Sequence, residues 1–370
     1  MDRRNILTLI GASSLMAACQ ETSSDAASGD QNPEINWRLI TSWPKNFPGI
    51  GQAPEDVARM VSEMTNGKFK IKVYGAGEMA PALGVFDNVS SGAAHMGHSA
   101  AYYWKGKLAA APFFTGVPFG MNAREMHAWI QEGGGQALWE ELYAPYGVLP
   151  LAGGNTGVQM GGWFNKPIES LEDLQGLKMR IPGIAGEIWN KAGGTSVMLP
   201  GGEIFQALEK GTIDATEWLG PANDLAFGLP QIAKYYYMPG WHEPGSMLEF
   251  SINKKAFEAL PSHYQFILKI ACQSVADKML NFYTAANAKA LETIKSNPNV
   301  EIRQFPSVVL DKLYQMTQEV LSEMAASSDD VKKVYDSYTS FQKQAQAYNR
   351  VSEEAYYRVR TAIESIETDI

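Results

Sequence analysis

The alternation of strand-like and helix-like segments constrains the fold of this chain more than any other feature. A first strand is predicted at residues 37–41, and a helix follows at 55–64. Residues 68–74 alternate polar and apolar side chains, which indicates a strand with one solvated face. A helix at 81–92 then leads into a short buried strand at 94–98. Strands separated by helices imply βαβ units and a largely parallel sheet, so the predicted fold class is α/β.

The same alternation recurs in the middle of the chain. The predicted elements are strands at 157–165, at 177–181 and from 211 onward, and helices at 185–192 and 204–210. Residues 89–97 and 208–216 share a layout in which a helix ends near a glycine and a short strand follows. This repeated layout suggests two similar lobes, each with a helix–glycine–strand unit that points toward the same place. We therefore predict lobe I at 34–155 with part of 245–300, and lobe II at 156–244.

The C-terminal third has a helical character. Residues 260–295 have a helical pattern, and from Pro306 to the last residue there is neither glycine nor another proline. Ser328 can cap a long final helix. Its apolar side chains are spaced by three and four, at Val331, Val334, Tyr338, Phe341, Ala345 and Tyr348. The helices at 301–370 either lie across both lobes or form a dimer contact, because such a long helix can extend beyond its own domain.

The first residues are typical of an export signal. Two arginines precede an apolar run that is too short to span a bilayer, so residues 1–18 are predicted to be a signal peptide. The arginine pair resembles a twin-arginine signal, and the residues before Cys19 resemble a lipobox in which this cysteine is lipidated. A general signal peptide cut near Ala18 is the alternative. Residues 19–33 are rich in small polar side chains and predict a flexible tether.

Charge and motif content argue against several functions. The net charge of −9 and the lack of a basic run disfavour nucleic acid as a partner. The sequence has no zinc-protease motif, nucleophile elbow or dinucleotide fingerprint, which leaves a weak case for an exported enzyme. No stretch after the signal segment has the length and apolarity of a transmembrane helix. If Cys19 is lipidated, Cys272 cannot form an intrachain disulfide, and its apolar surroundings predict a core residue.

The stretch from Ser170 to Trp218 carries the strongest functional signal. It opens with SLEDLQGLKMR and closes with EKGTIDATEW. Arg180 and the pair Glu217-Trp218 each follow a short apolar strand, where open α/β sheets often present ligand groups. An arginine fork matches a carboxylate, and a glutamate oxygen suits a hard cation. An ordinary salt bridge would also explain either residue.

These motifs resemble the extracytoplasmic solute-binding subunits of TRAP transporters over most of the chain after the tether. Gln159, the Glu217-Trp218 pair and residues 241–243 narrow the resemblance to the branch that binds 2-oxo acids or lactate with a metal ion. The resemblance implies a periplasmic solute-binding protein of two α/β lobes, with the ligand in the cleft between them and long C-terminal helices. It also implies a passive receptor that hands pyruvate, 2-oxobutyrate, lactate or a similar monocarboxylate to a membrane permease.

The resemblance further implies a role for each candidate site residue. Arg180 would hold the carboxylate, and Tyr103, rather than Tyr102, would reach the solute from the opposite lobe. A Na⁺ or Ca²⁺ ion would take oxygen ligands from Gln159, Glu217, Glu243 and the Trp218 carbonyl. Three of these residues can also contact the solute, namely Gln159, Trp218 through its ring, and Glu243. Some members of this branch exchange the last helix, so a homodimer is implied as well.

Counting charges supports the cation. Glu217, Glu243 and a monocarboxylate bring three negative charges, against the single positive charge of Arg180. Burying the surplus costs several kcal/mol per unpaired ion, and a cation removes most of that cost. Two alternatives stay open: a sensory binding protein with the same pocket, and an exported enzyme acting on 2-oxo acids, in which His242-Glu243 would imitate an acid–base pair.

Overall fold

The computed structural model describes residues 32–368, with side chains up to residue 363. The predicted signal peptide, Cys19 and most of the tether lie outside the described residues. The strands are β1 (Ile35–Thr41), β2 (Phe69–Tyr74), β3 (Met96–Ser99), β4 (Val148–Asn155), β5 (Gly162–Phe164), β6 (Lys178–Arg180), β7 (Thr195–Val197), β8 (Ala215–Thr216), β9 (Tyr235–Met238), β10 (Met247–Asn253) and β11 (Glu301–Gln304). The α-helices are α1 (Ala53–Met64), α2 (Val85–Ser90), α3 (Ala123–Gln131), α4 (Gly135–Tyr143), α5 (Gly183–Lys191), α6 (Ile204–Glu209), α7 (Pro221–Ala226), α8 (Lys254–Glu258), α9 (Ser262–Lys295), α10 (Ser307–Ala325), α11 (Asp329–Asn349) and α12 (Glu353–Thr368).

Two sheets form the centres of two lobes. The five-stranded sheet has the order β2-β1-β3-β10-β4, and the six-stranded sheet has the order β11-β9-β5-β8-β6-β7. In β2, buried Phe69, Ile71 and Val73 alternate with exposed lysines, as the period-two pattern predicts. The two-lobed α/β fold is confirmed, and within the described residues each sheet is parallel except for one strand. That strand is β10 in the first sheet and β5 in the second.

The two antiparallel strands each adjoin a segment in which the chain passes between the sheets, and a third passage runs from β10 through α9 to β11. Residues 156–161 lead from β4 to β5, and residues 239–246 lead from β9 back to β10. We call these the crossing segments. The predicted strand at 157–165 is therefore wrong for most of its length, because these residues span the gap between the lobes instead of pairing in a sheet. The crossing segments pair with each other, since the Gln159 N–H group donates to the Glu243 carbonyl at 3.2 Å.

The C-terminal helices begin as predicted but end differently. The Ser328 side chain caps α11 by accepting a hydrogen bond of 3.3 Å from the Val331 N–H group. The predicted long helix after Ser328 is present as α11, and residues 350–352 separate it from a further helix, α12. At the end of α11, the buried Asn349 amide donates to Glu125 at 2.5 Å, which ties this end of the helix to α3. No helix within residues 32–368 combines the length and apolarity needed to cross a membrane.

Glu249 is a buried carboxyl group in β10. The Tyr143 hydroxyl donates a hydrogen bond of 2.7 Å to its Oε2 atom, while no described residue hydrogen-bonds its Oε1 atom. Burial raises the pKa of Glu249 to about 8, and the Tyr143 bond opposes that rise. The folded protein therefore keeps this carboxyl protonated at neutral pH, whereas the unfolded chain ionises it.

We expect the free energy of unfolding to fall as the pH rises from about 5 to about 8, because the folded state binds the extra proton in that window. The slope due to Glu249 reaches at most about 1.4 kcal/mol per pH unit. Thermal melts of Glu249→Gln should show a flatter dependence on pH than the wild type. Glu258→Gln, on exposed α8, is the matched control and should keep the original slope. Equal slopes in the wild type and Glu249→Gln would contradict the assignment.

Candidate functional site

The C-terminal ends of several strands converge on one place between the sheets. Trp43 follows β1, and Tyr103 follows β3 in a short 3-10 turn. Arg180 is the last residue of β6, and Glu217 comes directly after β8. The Arg180 side chain donates a hydrogen bond of 3.3 Å to the Tyr103 hydroxyl, so both lobes contribute to this place. Strand ends of this kind commonly present ligand groups in α/β folds.

Arg180 is enclosed, with 1% of its surface exposed. Its Nη1 atom forms a salt bridge with the Glu217 carboxylate, and its Nε atom donates to the Leu199 carbonyl at 3.3 Å. The guanidinium carbon lies 5.2 Å from the centre of the Trp218 ring. Burial is the largest single influence and lowers the pKa of Arg180, but the charges of Glu217, Tyr103, Tyr102 and Glu243 together outweigh it, so the pKa is raised. The guanidinium is therefore charged at every working pH and held in one orientation.

Gln159 and Glu243 come from the two crossing segments. The Gln159 Nε2 atom donates to Glu243 Oε2 at 2.7 Å, and the Ser246 hydroxyl also donates to that oxygen. Because the amide nitrogen is used in this way, Gln159 Oε1 is left buried without a hydrogen-bond partner among the described residues. Burial raises the pKa of Glu243 to about 7, and the charge of Glu217 adds to the rise. Carboxylates this close favour a proton or a cation between them.

Glu217, His242 and Glu243 form a buried cluster whose donor atoms suit a metal ion. One ligand atom from each residue lies within 4.8 Å of the others. His242 Nε2 is 3.6 Å from Glu217 Oε2, which is too long for a hydrogen bond. Within the described part of the chain, Glu217 Oε2, Gln159 Oε1 and both His242 ring nitrogens have no hydrogen-bond partner. Buried polar atoms are rarely left unsatisfied, so this set fits a bound cation.

A small cavity lies between the lobes beside this cluster. Its lining residues are Trp43, Ile50, Tyr102, Tyr103, Thr156, Gln159, Trp218, Leu219, Glu243, Ser246 and Leu248. Arg180 and Glu217 are not among these lining residues, and they form a salt bridge with each other.

Residues 40–328 match the family described as DctP, bacterial extracellular solute-binding protein, family 7. The chain belongs to this family. A monocarboxylate 2-oxoacid-binding periplasmic protein of Nostoc sp. is 40% identical over 359 residues, which cover 96% of this chain and 98% of the relative.

Solved structures place this DctP-family protein among TRAP periplasmic solute-binding proteins. Crystal structures from Colwellia psychrerythraea and Pseudoalteromonas atlantica are each 45% identical, with a TM-score of 0.86, and cover 88% of this chain and 99% of their own. The first contains calcium and pyruvate, and the second contains sodium and pyruvate. These matches confirm the resemblance to TRAP solute-binding subunits that the sequence motifs indicated.

The structure of this DctP-family protein brings all the sequence-predicted site residues to one region. It also adds His242, which sequence reasoning considered only as half of an acid–base pair. The available signal was its position next to Glu243, between Gly240 and Pro244, where an irregular backbone can aim neighbouring side chains at one point. The pairing of Arg180 with Glu217 was not predicted either, since each had been given a separate ligand.

Proposed function

We propose that this protein captures a small 2-oxo or 2-hydroxy monocarboxylate together with Na⁺ or Ca²⁺ and delivers it to a TRAP membrane permease. One observation carries the proposal: the buried, charged Arg180 pairs with Glu217, while Glu217 Oε2 and Gln159 Oε1 lack hydrogen-bond partners among the described residues. A guanidinium and a cation together can hold an acid that has an oxygen on the neighbouring carbon. The pyruvate, calcium and sodium found in the two 45% identical proteins support this ligand pair.

In the proposed arrangement, the acid is bound by two charged groups, Arg180 and the cation. Arg180 supplies hydrogen-bond donors to the carboxylate, and the Tyr103 hydroxyl contributes from the other lobe. The cation takes oxygens from four residues, namely Gln159, Glu217, Glu243 and the Trp218 carbonyl. Adjacent carboxylate and 2-oxo oxygens can chelate a cation, whereas a plain fatty acid offers only its carboxylate. Gln159, Glu243 and the Trp218 ring also line the space for the solute.

We infer that the solute stabilises a closed arrangement of the lobes. Besides the Arg180–Tyr103 bond, the Asn223 amide donates to the Pro48 carbonyl at 2.9 Å across the cleft. A ligand that contacts both lobes binds this arrangement better than a separated one and shifts the population toward it. Capture is then a binding event without chemical turnover, in keeping with a solute-binding family.

A thermal-shift screen tests the proposed ligand class. We expect pyruvate, 2-oxobutyrate and lactate to raise the melting temperature in the presence of Ca²⁺ or Na⁺, because ligands that bind only the folded state stabilise it by mass action. Acetate and butyrate, which lack the second oxygen, are the matched controls and should give small shifts. Equal shifts for butyrate and 2-oxobutyrate would refute chelation by the 2-oxygen. Turnover of a bound 2-oxo acid would support an enzyme instead.

Further proposals concern the segments that flank the site. We propose that residues 1–18 direct export by the twin-arginine route to the periplasm, and that Cys19 carries a lipid anchor. The lobes are proposed to comprise 34–155 with part of 245–300, and 156–244, followed by the C-terminal region at 301–370, which begins with β11 of the second sheet and continues as helices. A homodimer through the last helix is supported by three apolar side chains of α12 that are more than half exposed: Tyr356 at 61%, Val359 at 58% and Ile363 at 53%.

A further inference from the structure

We propose that Trp43 is the wall that limits the length of the solute side chain, and that His98 is the positioning residue that fixes the Trp43 ring. This inference rests on the proposed function of the cavity as a 2-oxo acid site. Trp43 is 2% exposed, lies directly after β1 and lines the cavity. Its ring centre is 6.1 Å from that of Tyr103 and 6.2 Å from that of Trp218, so it contacts one aromatic ring from each lobe.

His98 holds the indole through a pair of buried hydrogen bonds. The Trp43 Nε1 atom donates to His98 Nδ1 at 2.9 Å, and His98 Nε2 lies 2.9 Å from the Gly153 carbonyl oxygen. Because Nδ1 accepts, the neutral imidazole carries its proton on Nε2 and donates it to Gly153. The imidazole is fully buried, and its centre is 4.5 Å from that of the Phe250 ring. The indole is thereby tied to the backbone of β4.

The orientation of the indole matters because the cavity lining contains both polar and apolar residues. Gln159, Glu243 and Ser246 form one hydrogen-bonded group in this lining, where the carboxylate and the 2-oxygen are proposed to bind. The solute side chain must then face the apolar part of the lining, which is formed by Trp43, Ile50, Leu219 and Leu248. In an apolar pocket, one methylene group changes binding by roughly 10–200-fold. A ring fixed in place can therefore set the chain length that the site accepts.

Calorimetric titration with pyruvate and with 2-oxopentanoate, in saturating Ca²⁺, tests both parts of the inference. Trp43→Phe removes the indole N–H group and shrinks the wall, so the ratio of the two Kd values should shift at least about tenfold toward the longer acid. His98→Leu can neither accept nor donate and should produce part of the same shift. His98→Gln can accept from Trp43 and donate to Gly153, so it should keep the wild-type ratio. Adding His98→Leu to Trp43→Phe should change the ratio no further.

Thermal melts accompany every titration, because replacing a buried histidine also lowers stability. A His98→Leu protein that melts earlier but keeps the wild-type ratio would show a purely structural role and overturn the positioning assignment. His98→Met serves as the second variant if His98→Leu does not fold. An unchanged ratio in Trp43→Phe would overturn the assignment of the wall. If the wild type binds neither acid, the proposed function itself fails, whereas an unchanged ratio in a binding-competent variant overturns this inference alone.

Discussion

Replacing Arg180 by alanine is expected to weaken the capture of pyruvate more than any other single change at the site. The guanidinium is the buried positive charge that the proposed site offers to a carboxylate, and no solvent can replace it at 1% exposure. Truncating one partner of a buried, hydrogen-bonded charge pair costs about 2–5 kcal/mol, which is roughly thirtyfold to several thousandfold in affinity. Isothermal titration calorimetry with pyruvate in saturating Ca²⁺ measures this loss. A folded Arg180→Ala protein with wild-type affinity would refute the role.

Three variants separate carboxylate capture from damage to the fold. Arg180→Lys keeps the charge but loses the planar fork, so it should recover only part of the affinity. Arg180→Ala leaves Glu217 buried without its countercharge, and the double variant Arg180→Ala/Glu217→Gln relieves that charge, which thermal melts can confirm. Arg303→Ala changes an arginine of β11 that pairs with Glu301, and it should bind pyruvate as the wild type does.

Removing the cation is expected to have the second large effect. With Glu217, an ionised Glu243 and the acid together, the proposed site has three negative charges and one positive charge, and closing the lobes would desolvate the surplus. Exhaustive chelation in sodium-free buffer should therefore weaken pyruvate binding by at least about tenfold. Even the loss of an outer-shell contact to a metal usually costs about tenfold to a hundredfold in metal affinity or activity. Restoring Ca²⁺ or Na⁺ should recover the affinity. Unchanged pyruvate affinity after chelation would contradict the proposal that a cation takes part in binding.

The Glu217→Gln variant tests whether the cation binds at the proposed donor atoms. The variant loses the negative oxygen that has no partner among residues 32–368, so its pyruvate affinity should no longer respond to Ca²⁺. Glu258→Gln changes a carboxylate on exposed α8, and its response to Ca²⁺ should match that of the wild type. Direct titration of Ca²⁺ without any acid gives an independent readout, in which Glu217→Gln should bind more weakly. A wild-type Ca²⁺ response in Glu217→Gln would place the cation elsewhere.

Local patterns in the sequence predicted the elements that surround the site. Arg180 and Glu217 could be recognised because each follows a short apolar strand, and parallel strands present their C-terminal ends together. Tyr103 could be recognised for the same reason, because it follows strand β3. The family motifs between residues 170 and 218 then supplied the chemistry. These features depend on neighbouring residues, so one sequence is enough to reveal them.

Features that depend on distant parts of the chain could not be predicted in this way. The His98–Trp43 hydrogen bond joins residues 55 positions apart, and the Asn349–Glu125 bond that accompanies the break after α11 joins residues 224 positions apart. The helical pattern after Ser328 continues through residues 350–352, so no local signal marked the break. Similarly, the apolar and glycine-rich run after Gly157 looked like a strand, although most of it spans the gap between the sheets.

The pairing of the crossing segments has a consequence for the order of binding. Gln159 and Glu243 connect the two segments by both backbone and side-chain hydrogen bonds, and both are proposed cation donors. In the proposed closure, the joint between the lobes and the cation site would then share the same residues. A cation seated there would stiffen the joint before any acid arrives. Thermodynamic reciprocity then requires the acid to tighten cation binding by the same factor, whichever of the two binds first.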